Sequence, residues 1–255
     1  MLKFINVKNP HIYLVGAGGT GGFLLEKLTR LFANFNHPVT IEVIDGDTVE
    51  GKNLKRQNFT FDDLDHKKAQ VLCDRLAQLV PHAPKLVSKT DYLTDNSLLT
   101  DIALLDEDET PIIVDCVDNT ATRRLINDSV KALGGEIPVI VLNSGNNEQG
   151  GQIVAWSNKP VTNKTLTGEK EISLKSMLEL FPETNIIKDD HDKNPGLVSI
   201  CAEESESKPQ TMMANVFNSD ILASLIFTLA TNKTIAHNVY RVNLNELSIK
   251  GFDMF

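Results

Sequence analysis

Residues Ile12-Tyr13-Leu14-Val15-Gly16-Ala17-Gly18-Gly19-Thr20-Gly21-Gly22 decide how the rest of the chain is read. Four apolar residues make a buried strand, the glycines make a turn, and a helix follows from Phe23 to about Phe35. Glycine at 16, 18 and 21, with Gly19 in the same turn, fits the G-x-G-x-x-G spacing. That spacing meets three demands: a tight turn, close backbone approach to a phosphate, and close packing of helix on strand. The helix N-terminus adds free N–H groups and the positive end of a dipole for an anion. Dehydrogenases, methyltransferases and adenylating enzymes all use such a turn. The distinction lies in what the chain does next.

Bulk composition narrows the field. A chain of 255 residues with 41% hydrophobic content buries a full core, as one large α/β domain or one domain with an excursion. A formal net charge of −9 with no visible basic face argues against nucleic acid as a partner. Cys73, Cys116 and Cys201 are far apart and no CxxC occurs, so neither a disulfide framework nor a structural zinc site is indicated. The N-terminus lacks the apolar run of a signal peptide, and no window approaches the ~20 apolar residues of a membrane span. The expectation is a cytoplasmic protein with no membrane partner.

Beyond the first helix, Val39–Ile44 reads as a second strand, ending at Asp45-Gly46-Asp47. Asp45 stands where a dinucleotide fold places its ribose carboxylate, although an Asp-Gly turn reads equally well there. A polar, basic stretch from Glu50 to Phe59 has no period. A helix of about sixteen residues then starts at Leu64, with Ala69, Leu72, Leu76, Leu79 and Val80 on one face and Pro81 as its stop. Lys67 and Lys68 fall in or near its first turn, where the macrodipole disfavours cations; neighbouring aspartates or a bound phosphate would neutralise them. Lys85–Tyr92 reads as a short strand, with a helical turn near 97–105. Pro111–Cys116 reads as another parallel strand that delivers Asp118 and Asn119 to the same edge. Asp118 suits either a ligand or the N-cap of a helix over 121–133, which Gly134 ends. Pro138–Leu142 is a further core strand, 143–151 a glycine- and asparagine-rich turn, and Gln152–Trp156 a strand of possible antiparallel sense. From Ser157 to Gln210 the chain is irregular apart from a short helix over 173–181. Connections of this length are commonly lids or binding loops. Met213, Val216, Phe217, Leu225, Ile226 and Leu229 mark a last amphipathic helix, and Val239–Ile249 a final strand or hairpin. No internal repeat is present.

These elements predict an α/β fold: a Rossmann-like, mostly parallel sheet with helices on both faces, extended by C-terminal antiparallel strands and a long crossover loop. Residues 1–156 form the nucleotide-binding half, 157–212 the irregular crossover or lid, and 213–255 a C-terminal helix and strand completing the same domain.

Five pieces occur in order: Gly16 to Gly22, Asp45 to Glu50, Asn53 to Gln57, Asp63 to Ala69, and Asp115 to Arg123. In that order and spacing the set resembles the ubiquitin-activating-enzyme-like superfamily, the ThiF/MoeB/HesA adenylyltransferases. The resemblance covers residues 10–156 well and the last helix more loosely. Among members the chain looks most like stand-alone bacterial ThiF-like proteins, including those of plasmid-associated PRTRC systems. The resemblance implies that ATP and the C-terminal carboxylate of a ubiquitin-like or sulfur-carrier protein react to an acyl-adenylate and pyrophosphate. Catalysis is then positioning and charge stabilisation rather than general-base work. By motif matching, Asp45 and Asp47 belong to the nucleotide site, with Asp45 on the ribose. Asn53, Arg56 and Lys68 contact phosphates, Gln57 shapes the pocket, and Asp118 binds Mg²⁺. A homodimer and a conjugating-enzyme-like partner also follow from the family.

Three departures accompany the match. Many members have glycine where this chain has Asp65; the zinc-binding cysteine pairs of the MoeB and ThiF enzymes are absent; and the first arginine is Arg30, where dimeric members lend an N-terminal arginine to their partner. Family members that carry the acyl group onward use a cysteine in or after the crossover, and Cys201 stands there. Glu203, Glu204 and Glu206 beside it would raise its pKa, whereas a helix opening at Ala202 would lower it, so catalytic and structural roles both stand. Cys73 and Cys116 read as buried and inert. Two other functions share part of the pattern. A non-catalytic nucleotide- or partner-binding module needs the fold without turnover. An NAD-dependent oxidoreductase shares the glycine turn and Asp45 but has no use for Arg56, Lys68 and Asp118.

Overall fold

The computed structural model describes residues 1–4, 7–147, 150–182 and 212–255. After a short β1 (Leu2–Lys3), β2 (Asn9–Val15) runs into the glycine turn and α1 (Gly19–Phe32). The helix therefore opens within the glycine motif, four residues before the periodicity at Phe23 announces it, because helical glycines show no hydrophobic pattern. β3 (Thr40–Ile44), α2 (Lys68–Leu79), β4 (Lys85–Lys89), α3 (Asp95–Ala103), β5 (Glu109–Asp115), α4 (Thr120–Ala132) and β6 (Ile140–Asn147) complete the alternating half. β7 (Gly150–Ser157), β8 (Val161–Thr165), β9 (Gly168–Ile172) and α5 (Met177–Leu180) follow. α6 (Met212–Asn232), β10 (Thr234–Ile235), β11 (Val239–Asn243) and β12 (Ser248–Phe252) end the chain.

The main sheet runs β12-β11-β7-β6-β5-β2-β3-β4. β6, β5, β2, β3 and β4 are mutually parallel, and β7, β11 and β12 are antiparallel additions. The parallel strands are apolar on both faces: Ile12, Leu14, Ile41, Val43, Ile112, Ile113, Val114 and Val141 are all fully buried. The α/β, mostly parallel architecture with C-terminal antiparallel strands is therefore as the sequence predicts.

Three local readings differ. The 143–151 turn is largely strand: β6 continues to Asn147 and pairs with β7 from Ile140↔Ser157 through Asn147↔Gly150. Residues 157–182, read as irregular, contain the β8–β9 hairpin, which joins a second sheet in the order β10-β1-β8-β9. The second long helix starts at Lys68 rather than Leu64, preceded by a 3₁₀ turn at Phe61–Asp63.

The 21-residue α6 is long and apolar enough in composition to cross a membrane, yet half of it is buried inside this fold. It packs on α1, β6 and β7. Lys27 of α1 clamps it, reaching Ser219 and, at 2.8 Å, the Asp220 carboxylate.

Candidate active site

The C-terminal ends of the parallel strands are level. Val15 pairs with Ile44 and Asp115, Ile44 with Lys89, and Asp115 with Asn143. The loops leaving this row enclose a crevice at the switch point beside β2, where ligands of open α/β sheets bind.

The glycine turn forms one wall. Gly16 lies at φ +93°, and a β-carbon there would press on the Cys116 carbonyl at 3.0 Å. Gly16, Gly18 and Gly19 line the crevice. Gly21 is not among the lining residues; a β-carbon on it would overlap the Gly16 carbonyl oxygen. Its role is to let helix meet strand closely. Asp45 braces the turn, accepting the Ala17 N–H at 2.6 Å and the Asp47 N–H at 2.8 Å. Burial pushes the Asp45 carboxyl above its usual range, against the pull of Lys68 and these N–H groups.

The facing wall is built by chain reversal. Val49 N–H donates to the His66 carbonyl, Asp65 N–H to Val49, and Lys68 N–H to Asp47 at 3.1 Å. Asp65 turns the chain at φ +64°, the left-handed region that glycine occupies without strain. That accounts for glycine at the matching position of many family members. The reversal sets Lys68 Nζ 2.8 Å from an Asp47 carboxylate oxygen. Burial alone would lower the Lys68 pKa, but Asp45, Asp47 and Asp118 outweigh it and hold it above its usual value. The cation at a helix N-terminus is thus offset by three carboxylates. Tyr92 donates its hydroxyl to the other Asp47 oxygen at 2.8 Å and lays its ring on Gly46, where a β-carbon would meet it at 2.7 Å.

A 3₁₀ turn, Gly51–Lys55, delivers Arg56 and Gln57 to the crevice. Asn53 is buried, and its side-chain oxygen accepts the Glu50 N–H at 2.8 Å, so it caps and shapes the loop that carries Arg56 and Gln57. Arg75 of α2 holds the loop from behind, donating to the Asn58 carbonyl at 2.9 Å and to Asp63. Gln57 Oε1 is buried with no hydrogen-bond partner among the described residues, and its amide nitrogen lies beside the open face of Gly18. An orphaned acceptor in a lined crevice fits a bound ligand that carries a donor.

At the end of β5 the structure separates three neighbouring polar residues. Asp115 is fully buried and accepts from Asn143 at 2.7 Å, and Asn143 in turn accepts from the Trp156 indole N–H at 2.8 Å. Asn119 caps α4, accepting the Thr122 N–H at 2.8 Å. Asp118 alone of the three is exposed, and it lines the crevice together with Asn119. Among the described residues no three His, Cys, Asp or Glu side chains converge to hold a metal. Mg²⁺ commonly uses one or two carboxylates together with phosphate oxygens and water, so Asp118 suits it. Arg123 staples two loops, donating to the Val117 carbonyl at 2.6 Å and the Ser144 carbonyl at 2.7 Å.

Burial pushes the Cys73 thiol up to about 12 and the Cys116 thiol higher still, so neither is a thiolate near neutral pH. Cys201 and its glutamates lie outside the described residues. Lining residues that sequence reading missed include Thr20, Tyr92, Ser144, Asn146 and Asn215. Only the topology unites them. Thr20 is inside the motif itself, but nothing local pairs it with Asn215.

A family model described as "ThiF family" matches residues 5–250. The Escherichia coli K12 sulfur carrier protein ThiS adenylyltransferase is 39% identical over 126 residues, 49% of this chain and 46% of that protein. An adenylyltransferase and sulfurtransferase uba4 from Ogataea parapolymorpha is 34% identical over 131 residues, 51% of this chain and 31% of that protein. The chain thus spans about a third to a half of these curated relatives. Among solved structures, E. coli MccB with ATP superposes with a TM-score of 0.58 at 20% identity, covering 98% of this chain and 65% of MccB. PaaA gives 0.60 at 16% identity, covering 97% of this chain and 65% of PaaA. At these identities the likeness is one of fold.

Proposed function

The chain belongs to the ThiF family, and we propose that it is an ATP-dependent adenylyltransferase that activates the C-terminal carboxylate of a sulfur-carrier or ubiquitin-like protein. One observation carries the reading. Arg56 and Lys68 line the same crevice as the glycine turn and the exposed carboxylate of Asp118, an arrangement suited to a triphosphate with its cation. A nicotinamide cofactor shares the glycines and Asp45 but leaves this cluster without a task.

The chain's own groups divide the work. The backbone of Gly16, Gly18 and Gly19 allows close approach of phosphate. Asp45, already accepting two N–H bonds, is held rigid for a ribose hydroxyl. Arg56 and Lys68 stabilise the charge that develops on departing pyrophosphate. Asp118 would hold Mg²⁺, which supplies further charge neutralisation at the phosphates when bound. No general base is required, because the attacking carboxylate is already ionised at neutral pH. Onward transfer through Cys201 to a thiol or a conjugating-enzyme-like partner, a homodimer and a cytoplasmic location belong to the same reading.

ATP–pyrophosphate exchange tests it, using the purified protein with a sulfur-carrier protein ending in glycine. Exchange is expected to require the carrier and to fall at least about a hundredfold in Arg56→Ala and in Asp118→Ala, the scale of losing one charge-stabilising contact. Exchange that survives both substitutions overturns the site assignment.

A further inference from the structure

Resting on the adenylation reading, we infer that Asn215 is the group that binds and orients the acyl substrate, donating a hydrogen bond from its side-chain amide to the carbonyl oxygen at the reacting carbon. Asn215 stands in the first turn of α6 and is only 2% exposed, yet it lines the crevice. Its side-chain oxygen is spoken for twice: the Thr20 hydroxyl donates to it at 3.2 Å, and so does the Asn146 amide. With its oxygen so engaged, the Nδ2 end of the amide is the one left to donate. The Nδ2 end lies against Gly19, where any β-carbon would overlap it. Nδ2 donates to no atom among the described residues. A nearly buried amide in the lining of a crevice, its N–H bonds meeting no acceptor among the described residues, is placed for an acceptor brought by a ligand.

The position identifies that acceptor. The crevice's cationic side, Arg56 and Lys68, faces the phosphates. Thr20, Ser144, Asn146 and Asn215 line the crevice with amides and hydroxyls, and Arg123 behind them spends its guanidinium on the Val117 and Ser144 carbonyls. A carboxylate seated there is oriented by neutral donors and keeps its nucleophilicity, where an ion pair would dull it. In the reaction one carboxylate oxygen forms a bond to the α-phosphorus. The bond from that phosphorus to the bridging oxygen breaks, and pyrophosphate leaves with the electron pair; no proton moves. The other carboxylate oxygen becomes the carbonyl oxygen, and it is the one that accepts from Asn215.

The test needs no identified partner. 5′-O-(N-glycylsulfamoyl)adenosine carries the smallest acyl carbonyl joined to the nucleoside, whereas AMP lacks it. Calorimetry on wild type is expected to give tighter binding of the acyl analogue than of AMP. Asn215→Ala should weaken the analogue about tenfold or more while AMP changes less than about twofold. Asn215→Asp, equal in size but without the donors, should do the same, and it carries the test if the alanine variant does not fold. Thr20→Val, which removes one of the groups orienting the amide, should cause a smaller loss for the analogue only. A parallel loss for both ligands would make Asn215 a structural brace and overturn the inference. Unchanged binding of the analogue in both Asn215 variants overturns it too, with adenylation intact. A wild type that prefers AMP over the acyl analogue removes the adenylation reading and this inference with it.

Discussion

Gly21 lies outside the crevice lining, yet it controls whether the crevice can form. Its Cα faces the carbonyl oxygen of Gly16 so closely that a single methyl group would overlap a backbone atom, which cannot swing aside as a side chain can. Gly51, in contrast, has open space where its β-carbon would go and an ordinary negative φ. The two alanine variants therefore separate steric need from incidental glycine. Gly21→Ala is expected to lose measurable binding of a non-hydrolysable ATP analogue and to cost about 2–4 kcal/mol of stability, as forced overpacking with backbone displacement does. Gly51→Ala should leave nucleotide binding unchanged and shift stability by less than about 1 kcal/mol, in the favourable direction. Calorimetric titration and thermal melting of both proteins check this. Nucleotide binding that survives in Gly21→Ala would mean that α1 and β2 need not pack as closely as their atoms here do.

Among elements, the 51–60 segment is the one whose position matters most for chemistry and whose own sequence determines it least. It is held through α2: Arg75 bonds the Asn58 carbonyl and the Asp63 carboxylate, and Asp63 also accepts from the Thr60 N–H and hydroxyl. Burial alone would raise the Asp63 pKa, but Arg75 and Thr60 outweigh it and hold it below the usual 3.8. A carboxyl depressed in the folded state stabilises the fold above its unfolded pKa, and that contribution is lost as pH falls through the folded value. Arg75→Met should therefore cost about 1.5–3 kcal/mol near neutrality, the range for hydrogen bonds to charged groups. Its deficit relative to wild type should shrink as pH drops below about 3.8. Urea midpoints of the two proteins across that range test it; a deficit independent of pH would place the loss in packing rather than in the ion pair. Local patterns revealed the parallel strands and their helices because burial on both faces leaves unbroken Val and Ile runs. The β8–β9 hairpin was illegible for the opposite reason: of Val161–Thr165 only Val161 is buried, and Gly168–Ile172 is almost wholly exposed, so no alternation marks it. Asn143 to Asn147 carries turn-like residues and is strand only because β7 supplies the ladder.

Taken as a whole, the molecule gathers chemistry by topology. Asp45, Arg56, Lys68 and Asp118 were legible because each lies within or just beyond a recognisable motif. Tyr92, Asn146 and Asn215 were not, since strand order alone brings the loop after β4, α6 and the β6–β7 ladder to one crevice. The same parallel sheet assembles a second polar cluster that no motif marks. His11 of β2 lies 3.1 Å from Glu109 of β5 and 3.8 Å from Glu42 of β3, stacked on Tyr13 with ring centroids 4.7 Å apart. Lys89 of β4 continues the chain, 2.7 Å from Glu42 and in contact with Asp101 of α3. Four strands and a helix are thus cross-linked by charge. Burial would lower the His11 pKa, but the hydrogen bonds and charges of Glu42 and Glu109 outweigh it and raise the pKa above 6.5. A histidine raised in the folded state contributes stability that is complete below its unfolded pKa and is lost as pH rises through the folded one. Removing the imidazole with His11→Gln should cost about 1–2 kcal/mol at pH 6, less than an ideal buried pair because the cluster is partly solvated. Raising the pH should narrow that difference, since wild type loses its imidazolium while the variant has none to lose. Urea unfolding of both proteins at pH 6 and pH 9 checks the sign. A gap that widens with pH would mean that neutral His11 is the stabilising form and that Glu42 answers to Lys89 alone.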